Sequence, residues 1–353
     1  MLLLLAVGTV PVRASPLEEL IGTDELTDSL PAEAEEYLRG VSPTNTSAET
    51  VFARLRAAAE KKTAEAFSSA LKTAGVLLIV CVMIALANTL GMDERAPEFI
   101  VLAGVASLGA AALSDFDSYL NLGLASLQSI GDYSKVLLPV LASGAAMTGS
   151  AGSAAAKYAA TALFMDVLLE CARHIVAPCV CALSALSVAD AAVGNNVLKA
   201  AKKFVRSLCT YLLTGLSLAF TAWLALSDVV AASADALTAR MAKTAVSTAL
   251  PVVGSILSDA AGTLAAAAGV LQGSVGLFGI AAVVGMCITP FLTLGARYLA
   301  YKLSAGLCSC VADKRLTTLV EDLGTCFGMI LAINGAGALM LFISIYSLIR
   351  TVT

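Results

Sequence analysis

The sequence predicts an all-α, polytopic helical membrane protein with an internal repeat that contains broken or re-entrant helices. Of the 353 residues, 58% are hydrophobic and only 14% are charged, and the mean hydropathy is +0.86, whereas a soluble domain carries about 25% charged residues. Several charge-free runs exceed the roughly 18 residues that a helix needs to cross the hydrocarbon core of a bilayer. Prolines interrupt two of these runs at corresponding places.

The N-terminal region predicts an exported segment. Residues 1–14 are an apolar run that ends in small residues around Arg13, which is typical of a secretory signal peptide; a disordered apolar tip is the alternative. Residues 15–72 form the one extended polar stretch, which is acidic at first and amphipathic from Glu49 onward. We expect 15–72 to lie outside the cytoplasm and to dock on the helix bundle, lie on the membrane or bind a partner.

The apolar runs that follow predict the membrane helices. Residues 73–92 and 99–114 are charge-free, so 73–135 contain the first two transmembrane helices and a polar connection over 115–132. Residues 136–156 are interrupted by Gly and Ser, which predicts a broken or tightly packed span. Residues 207–227 and 323–349 predict full spans, and 260–296 are long enough for two short segments or for a span with a re-entrant turn.

A pair of prolines 39 residues apart occurs twice, which predicts a duplicated membrane unit. Pro139, in a Leu-Pro-Val run, is followed by Pro178, and Pro251, in a second such run, is followed by Pro290. A basic loop and a long apolar run come next in both copies. We therefore assign a first repeat to 136–227 and a linker helix with a second repeat to 228–353. A chance match in a chain rich in Ala, Val and Leu is the alternative.

Positive charge predicts the orientation of the two copies, because Lys and Arg in short loops favour the cytoplasmic side. The basic stretches 199–206 and 313–315 both lie inside if the chain crosses the membrane an odd number of times before each. One full span with a re-entrant pair, or three short spans, satisfies this condition. The copies are then parallel, and 115–132 lies outside with the N-terminal segment.

The broken segments are candidate positions for a pore or substrate path. Unwound backbone at membrane depth must be buried in protein or face a water-filled cavity, and paired broken helices often mark a transporter site. Packed kinks that bind nothing are the alternative. The candidate positions are Pro139, Ser143, Pro178, Pro251, Gly254, Ser258, Asp259 and Pro290.

One charge cluster interrupts the apolar run 157–189. Asp166, Glu170, Arg173 and His174 are three or four residues apart, so they share a helix face and can pair. Charged groups at membrane depth usually face a cavity or a partner. The cluster predicts either a polar, proton-linked pathway or an ion-paired structural face near the membrane surface.

Known motifs of several protein classes are absent from the sequence. It has no Walker, dinucleotide-binding, H-E-x-x-H or G-x-S-x-G motif, so we expect a non-enzymatic protein without a cofactor. The net charge is −4 and no basic tract is long enough for nucleic acid. The nine cysteines lack the spacing and histidine partners of common zinc sites, so we expect no metal and interpret them as small apolar side chains.

Residues 248–260 carry the most specific resemblance to a known family. The segment TALPVVGSILSDA resembles the signature of the stage III sporulation protein AE family of endospore-forming bacteria. The DSLP segment at 28–31, LLPV at 137–140 and ADKR at 312–315 agree with this family in order.

The resemblance implies a multi-pass protein of the mother-cell membrane around the forespore. Its implied role is that of a permease-like core component of the channel or secretion complex between the two cells. The implied partners are ring-forming membrane proteins, a cytoplasmic ATPase and a forespore-side protein, together with membrane lipid. The family offers no catalytic residues. A stand-alone secondary transporter and a structural scaffold for the complex are the alternatives.

Overall fold

The structure is a computed structural model that describes residues 23–39, 41, 43, 48–89, 96–148, 150–249 and 254–350; it leaves out the side chains of 228–249, 254–272 and some isolated positions. Within these ranges the regular elements are helices and no strand occurs. The helices are α1 (Thr23–Asp28), α2 (Ala32–Leu38), α3 (Ala48–Thr89), α4 (Ala96–Met147), α5 (Ala151–Cys171), α6 (Ala177–Val193), α7 (Asn196–Ala249), α8 (Gly254–Cys308) and α9 (Lys314–Arg350). The predicted signal peptide and Pro251 lie outside the described residues.

Six helical stretches of the described chain are long and apolar enough to cross a membrane, which confirms the multi-pass helical class. Their bounds are Val51–Ala87, Glu98–Met147, Ala151–Val193, Asn196–Ser227, Gly273–Cys308 and Lys314–Arg350. They are longer than a bilayer requires. Helix α4, with 52 residues, is about 78 Å long at 1.5 Å per residue, against a hydrocarbon core of roughly 30 Å.

Two helices join segments that the sequence predicted to be separate. Helix α3 continues from the amphipathic segment into the first apolar run, and α4 includes the second apolar run, the 115–132 connection and the run around Pro139. The connection is helical because its polar residues fall on one face and leave the other face apolar. The break expected within 136–156 occurs at 148–150, between α4 and α5.

The described prolines do not end helices. Helix α4 continues past Pro139 and α8 continues past Pro290, so residues 260–296 form neither two short segments nor a span with a re-entrant turn. Pro178 lies in the first turn of α6, after the π-helical turn Ala172–Val176 that joins α5 to α6. Proline lacks the N–H for the usual helix bond and its ring crowds the preceding turn, and a π turn provides the extra room. The duplication stays a prediction.

Two helix hairpins turn at the same end of the bundle. The α6–α7 turn is made by Gly194, whose φ of 72° is left-handed and whose N–H bonds the Asp190 carbonyl oxygen at 2.7 Å. The α8–α9 turn ends at Asp313, which accepts a bond from the Arg315 N–H at 2.7 Å. A Cβ at Gly194 would lie 3.8 Å from the Arg315 guanidinium. We call the end that carries these turns the basic end. The continuous stretch of α5 and α6 leads to the first turn, and helix α8 leads to the second.

The centre of the bundle is packed with aromatic and aliphatic side chains. Phe327 of α9 contacts Phe116 and Tyr119 of α4 and Tyr301 of α8, with ring centroids 5.1–5.8 Å apart. The N-terminal helices pack on this core as well, since a Cβ at Gly285 would lie 3.4 Å from the Ala34 Cα. The described interior is therefore held by direct side-chain packing.

Enlarging Gly337 is expected to destabilise the bundle, because helix α9 meets α4 closely at this residue. A Cβ at Gly337 would lie 2.5 Å from Leu127 Cδ1, and Leu127 is fully buried. The substitution Gly337→Leu should therefore cost about 1–3 kcal/mol by overpacking, measured as thermal unfolding in detergent. Gly215→Leu is the matched control, because nothing lies within 4 Å of a Cβ there. Equal unfolding temperatures for the two variants would contradict the packing.

Candidate functional site

A row of polar side chains runs along the outside of α4. Asp117, Asn121, Gln128, Asp132 and Lys135 follow each other at intervals of three, four or seven residues, which places them on one helix face. The row covers about 27 Å along the helix axis, close to the roughly 30 Å thickness of a hydrocarbon core. A polar row of this length has the dimensions of a path across a membrane.

Hydrogen bonds link the members of this row to one another. Asn121 Nδ2 donates to Asp117 Oδ2 at 3.1 Å, and Gln128 Nε2 donates to Asp132 Oδ2 at 2.7 Å. Lys135 Nζ lies 3.4 Å from Asp132 Oδ1. The row thus consists of paired polar groups, which lowers the cost of placing them in an apolar bundle.

The predicted charge cluster lies beside the row and extends it onto α5 and the π turn. Arg173 Nη2 donates to Gln128 Oε1 at 2.5 Å, and Lys135 Nζ lies 3.8 Å from Asp166 Oδ1. The structure therefore brings the sequence-predicted cluster together with residues that lie 30 to 50 positions earlier. We call the combined surface the polar stripe. It consists of Asp117, Asn121, Gln128, Asp132, Lys135, Asp166, Glu170, Arg173 and His174.

The cluster on α5 is exposed rather than enclosed. Glu170 and His174 pair at 3.2 Å, yet their side chains are 69% and 75% exposed, and that of Asp166 is 62% exposed. Exposed pairs contribute only about 0–1 kcal/mol to stability. The stability of the bundle therefore does not explain the cluster, and charged side chains on membrane-spanning helices usually face water or a partner.

The broken-helix candidates divide into three groups. Pro139 and Ser143 follow Lys135 at intervals of four residues and continue the same face of α4, and Pro178 is exposed one helical turn after His174. Pro290 is buried inside α8. The backbone of Gly254, Ser258 and Asp259 lies in the first turns of α8, and their side chains lie outside the described part, as does all of Pro251.

A buried ionic triad lies at the basic end. Lys202 Nζ of α7 lies 2.8 Å from Asp190 Oδ2 of α6 and 2.6 Å from Asp322 Oδ2 of α9. The three side chains are only 11%, 5% and 21% exposed. The triad ties three helices together, and a cavity of about 410 Å³ beside it is lined by Lys199 and Arg315. Both predicted basic stretches therefore meet at one end of the bundle.

A buried arginine inside the bundle was missed by the sequence reasoning. Arg297 of α8 is 7% exposed; its guanidinium donates to Ser69 Oγ at 2.9 Å and to Thr73 Oγ1 of α3. Its carbon Cζ lies 4.7 Å from the centre of the Tyr119 ring, a cation–π contact. Arg297 lies one residue beyond the charge-free run 260–296, and its two hydrogen-bond partners lie more than 200 residues away, so no local pattern marks it.

Metal ligands do not cluster in the part of the chain that the structure describes. Among the described residues, no group of three or more His, Cys, Asp or Glu side chains is arranged to hold an ion.

Comparison with known proteins links the chain to one family. The sequence profile described as Stage III sporulation protein AE matches residues 34–351. A relative described as Stage III sporulation protein AE, from Bacillus subtilis (strain 168), is 23% identical over 234 residues, which cover 66% of this chain and 59% of that relative. The match spans less than two thirds of the relative's length. No solved structure matches the chain.

Proposed function

The chain belongs to the stage III sporulation protein AE family, and from this premise we propose that it is a permease-like, non-enzymatic core subunit of a sporulation channel. The family and the six apolar helices make it a multi-pass membrane component of sporulation. The proposal adds a location, the mother-cell membrane around the forespore, and a role, which is to form a passage between the two cells.

The observation that carries the proposal is the polar stripe. It covers about 27 Å of α4 on the outside of a bundle whose described centre is filled by side chains such as Leu127, Ile130 and Leu141, all fully buried. A path for polar cargo through this bundle has no room along the axis of the described core. We therefore place the path at the surface, where the stripe forms one wall and neighbouring subunits of the complex form the rest.

The orientation of the chain assigns the partners in this proposal. The Lys and Arg bias supports a cytoplasmic basic end, where a cytoplasmic ATPase could reach Lys199 and Arg315. The N-terminal segment and the end of α9 then lie outside, where the ring-forming subunits and a forespore-side protein assemble. Helices longer than the bilayer is thick support contacts on both sides.

Cysteine accessibility along the polar stripe tests the path directly. In a variant without the nine natural cysteines, single cysteines at Asp117, Asn121 and Asp132 should react with a membrane-impermeant thiol reagent in the assembled complex. Cysteines at Leu218 and Leu303 serve as controls, since both are exposed on apolar helix faces. Protection at all three stripe positions would contradict an aqueous path.

Neutralising the charge cluster separates a pathway from a structural scaffold. The double variant Glu170→Gln and Arg173→Gln is expected to accumulate in the membrane at the wild-type level, because exposed pairs add little stability. Quantitative immunoblotting of membranes measures this. If the variant fails to accumulate, the charges are structural and the pathway assignment is wrong. A pathway that uses these charges should lose function in this variant, whereas a scaffold would tolerate it in every respect and fail when residues 15–72 are deleted.

A further inference from the structure

A groove on the outside of α7 lies away from the polar stripe. Helices α7, α8 and α9 line it, and its volume is about 430 Å³, within the range of roughly 300–1,000 Å³ for ligand clefts. In the most apolar stretch of each helix, only 17% of α7 is buried, against 67% of α8 and 56% of α9. Residues 196–227 of α7 are therefore loosely packed, and the groove is open at the surface of the bundle.

Two cations lie in the part of the groove nearest the basic end. Arg206 is ten residues from the start of α7 and Lys302 is six residues from the end of α8, or about 15 and 9 Å along the helix axes. Lys302 Nζ is 3.2 Å from Glu321 Oε1 and 3.1 Å from Thr325 Oγ1. In the part of the chain that the structure describes, the Arg206 guanidinium has no carboxylate partner. The groove thus presents the charge of Arg206, beside a lysine that is paired with Glu321, within about 15 Å of the basic end.

The rest of the groove is mostly apolar and lies deeper in the membrane. Leu213 of α7 and Met329 and Leu331 of α9 line it one to two helical turns beyond the cations. Tyr298 of α8 lies one turn beyond Lys302. A groove that is cationic at its mouth and apolar inside matches an anionic amphiphile.

The groove is too small to enclose a helix. One turn of an α-helix occupies about 400–600 Å³, given a diameter of 10–12 Å and a pitch of 5.4 Å. The groove extends over about two turns of α7, from Arg206 to Thr214, yet its whole volume is about 430 Å³. An acyl chain is slender enough to lie along it.

We propose that this groove binds one anionic phospholipid, with the phosphate at Arg206 and Lys302 and an acyl chain along Leu213 and Leu331. Basic pockets between transmembrane helices on the cytoplasmic side bind anionic headgroups by the same chemistry. The lipid fills the space beside α7 and holds this loosely packed helix against α8 and α9.

Lipid binding to the purified full-length protein tests the proposal. Phosphatidylglycerol and phosphatidylethanolamine with identical acyl chains are titrated into detergent-solubilised protein, and bound lipid is counted by native mass spectrometry. The double variant Arg206→Gln and Lys302→Gln should lose about thirtyfold in affinity for phosphatidylglycerol, since each basic residue near an anionic surface contributes roughly a fivefold factor. Binding of phosphatidylethanolamine should change little. If the double variant unfolds, Arg206→Gln alone gives the same test with about a fivefold loss.

Two controls separate the groove from general surface charge. The double variant Lys199→Gln and Lys203→Gln removes two positive charges from the same end of the bundle but outside the groove. It should bind phosphatidylglycerol like wild type. A loss of affinity equal to that of the groove variant would overturn the site. Thr214→Trp fills the groove without changing charge and should also lower binding, so an unchanged affinity would overturn the acyl-chain placement. Displacement of the lipid by inorganic phosphate would show a plain anion site and overturn the lipid assignment.

Discussion

Replacing Lys202 by methionine is expected to lower the free energy of unfolding by about 3–5 kcal/mol, because it leaves two buried carboxylates without their cation. Asp190 and Asp322 lie 2.8 and 2.6 Å from the ammonium group and are only 5% and 21% exposed. Asp190 Oδ1 already has no hydrogen-bond partner among the described groups. Thermal unfolding in detergent, together with the amount of protein in the membrane, measures the effect.

Two further variants define the cause of this loss. Lys203→Met removes the neighbouring, exposed lysine and should unfold within a few tenths of a kcal/mol of wild type, as surface substitutions do. The triple variant Asp190→Leu, Lys202→Met and Asp322→Leu removes every charge of the triad and should recover most of the lost stability, because replacing a whole buried ion group by apolar side chains of similar volume is often neutral. Wild-type stability of Lys202→Met would show that the triad does not hold the three helices together.

Making the polar stripe apolar is expected to abolish function while the protein still folds. The double variant Asn121→Leu and Gln128→Leu removes two polar side chains from the middle of the stripe, keeps their approximate size and changes no charge. If the stripe lines the path, a barrier raised by about 1.4 kcal/mol slows passage about tenfold, and spore formation in the source organism should fall with it. Heat-resistant spores are counted, and membrane accumulation is measured in the same cells.

The control for this variant places leucine on a different helix. Thr221 and Ala225 are exposed on α7, within an apolar face, so Thr221→Leu with Ala225→Leu should leave spore formation unchanged. Equal spore counts from the stripe variant and this control would contradict a path along α4. Loss of the stripe variant from the membrane would instead indicate that the stripe serves folding.

The sequence predicted local features well because helix geometry alone determines them. The pairing of Glu170 with His174 follows from a spacing of four residues, and the structure has it at 3.2 Å. The 115–132 segment was assigned to a connection because polar residues in an apolar chain usually mark loops. The regular spacing from Asp117 to Lys135 was the signal that would have identified a helix with one polar face.

Long-range contacts could not be predicted, since they depend on how the helices pack. Arg173 meets Gln128 across 45 residues, and Lys202 meets Asp322 across 120. Nothing in the local pattern around Lys202 distinguishes it from the exposed Lys199 or Lys203, because burial is decided by α6 and α9. The sequence paired the two basic stretches by their charge, and their convergence on one cavity is visible only in the three-dimensional arrangement.

The π turn between α5 and α6 sets the rotational phase of the charges on α5. A π turn carries one more residue than the α-helical turn it replaces, and one residue corresponds to about 100° of rotation around a helix axis. Deleting one residue from Ala172–Val176 would turn the π turn into an ordinary α-helical turn. Asp166 and Glu170 would then be rotated by about 100° relative to α6. Both carboxylates would then leave the side of α5 that faces Lys135. The continuity of the polar stripe across two helices thus depends on this single inserted residue.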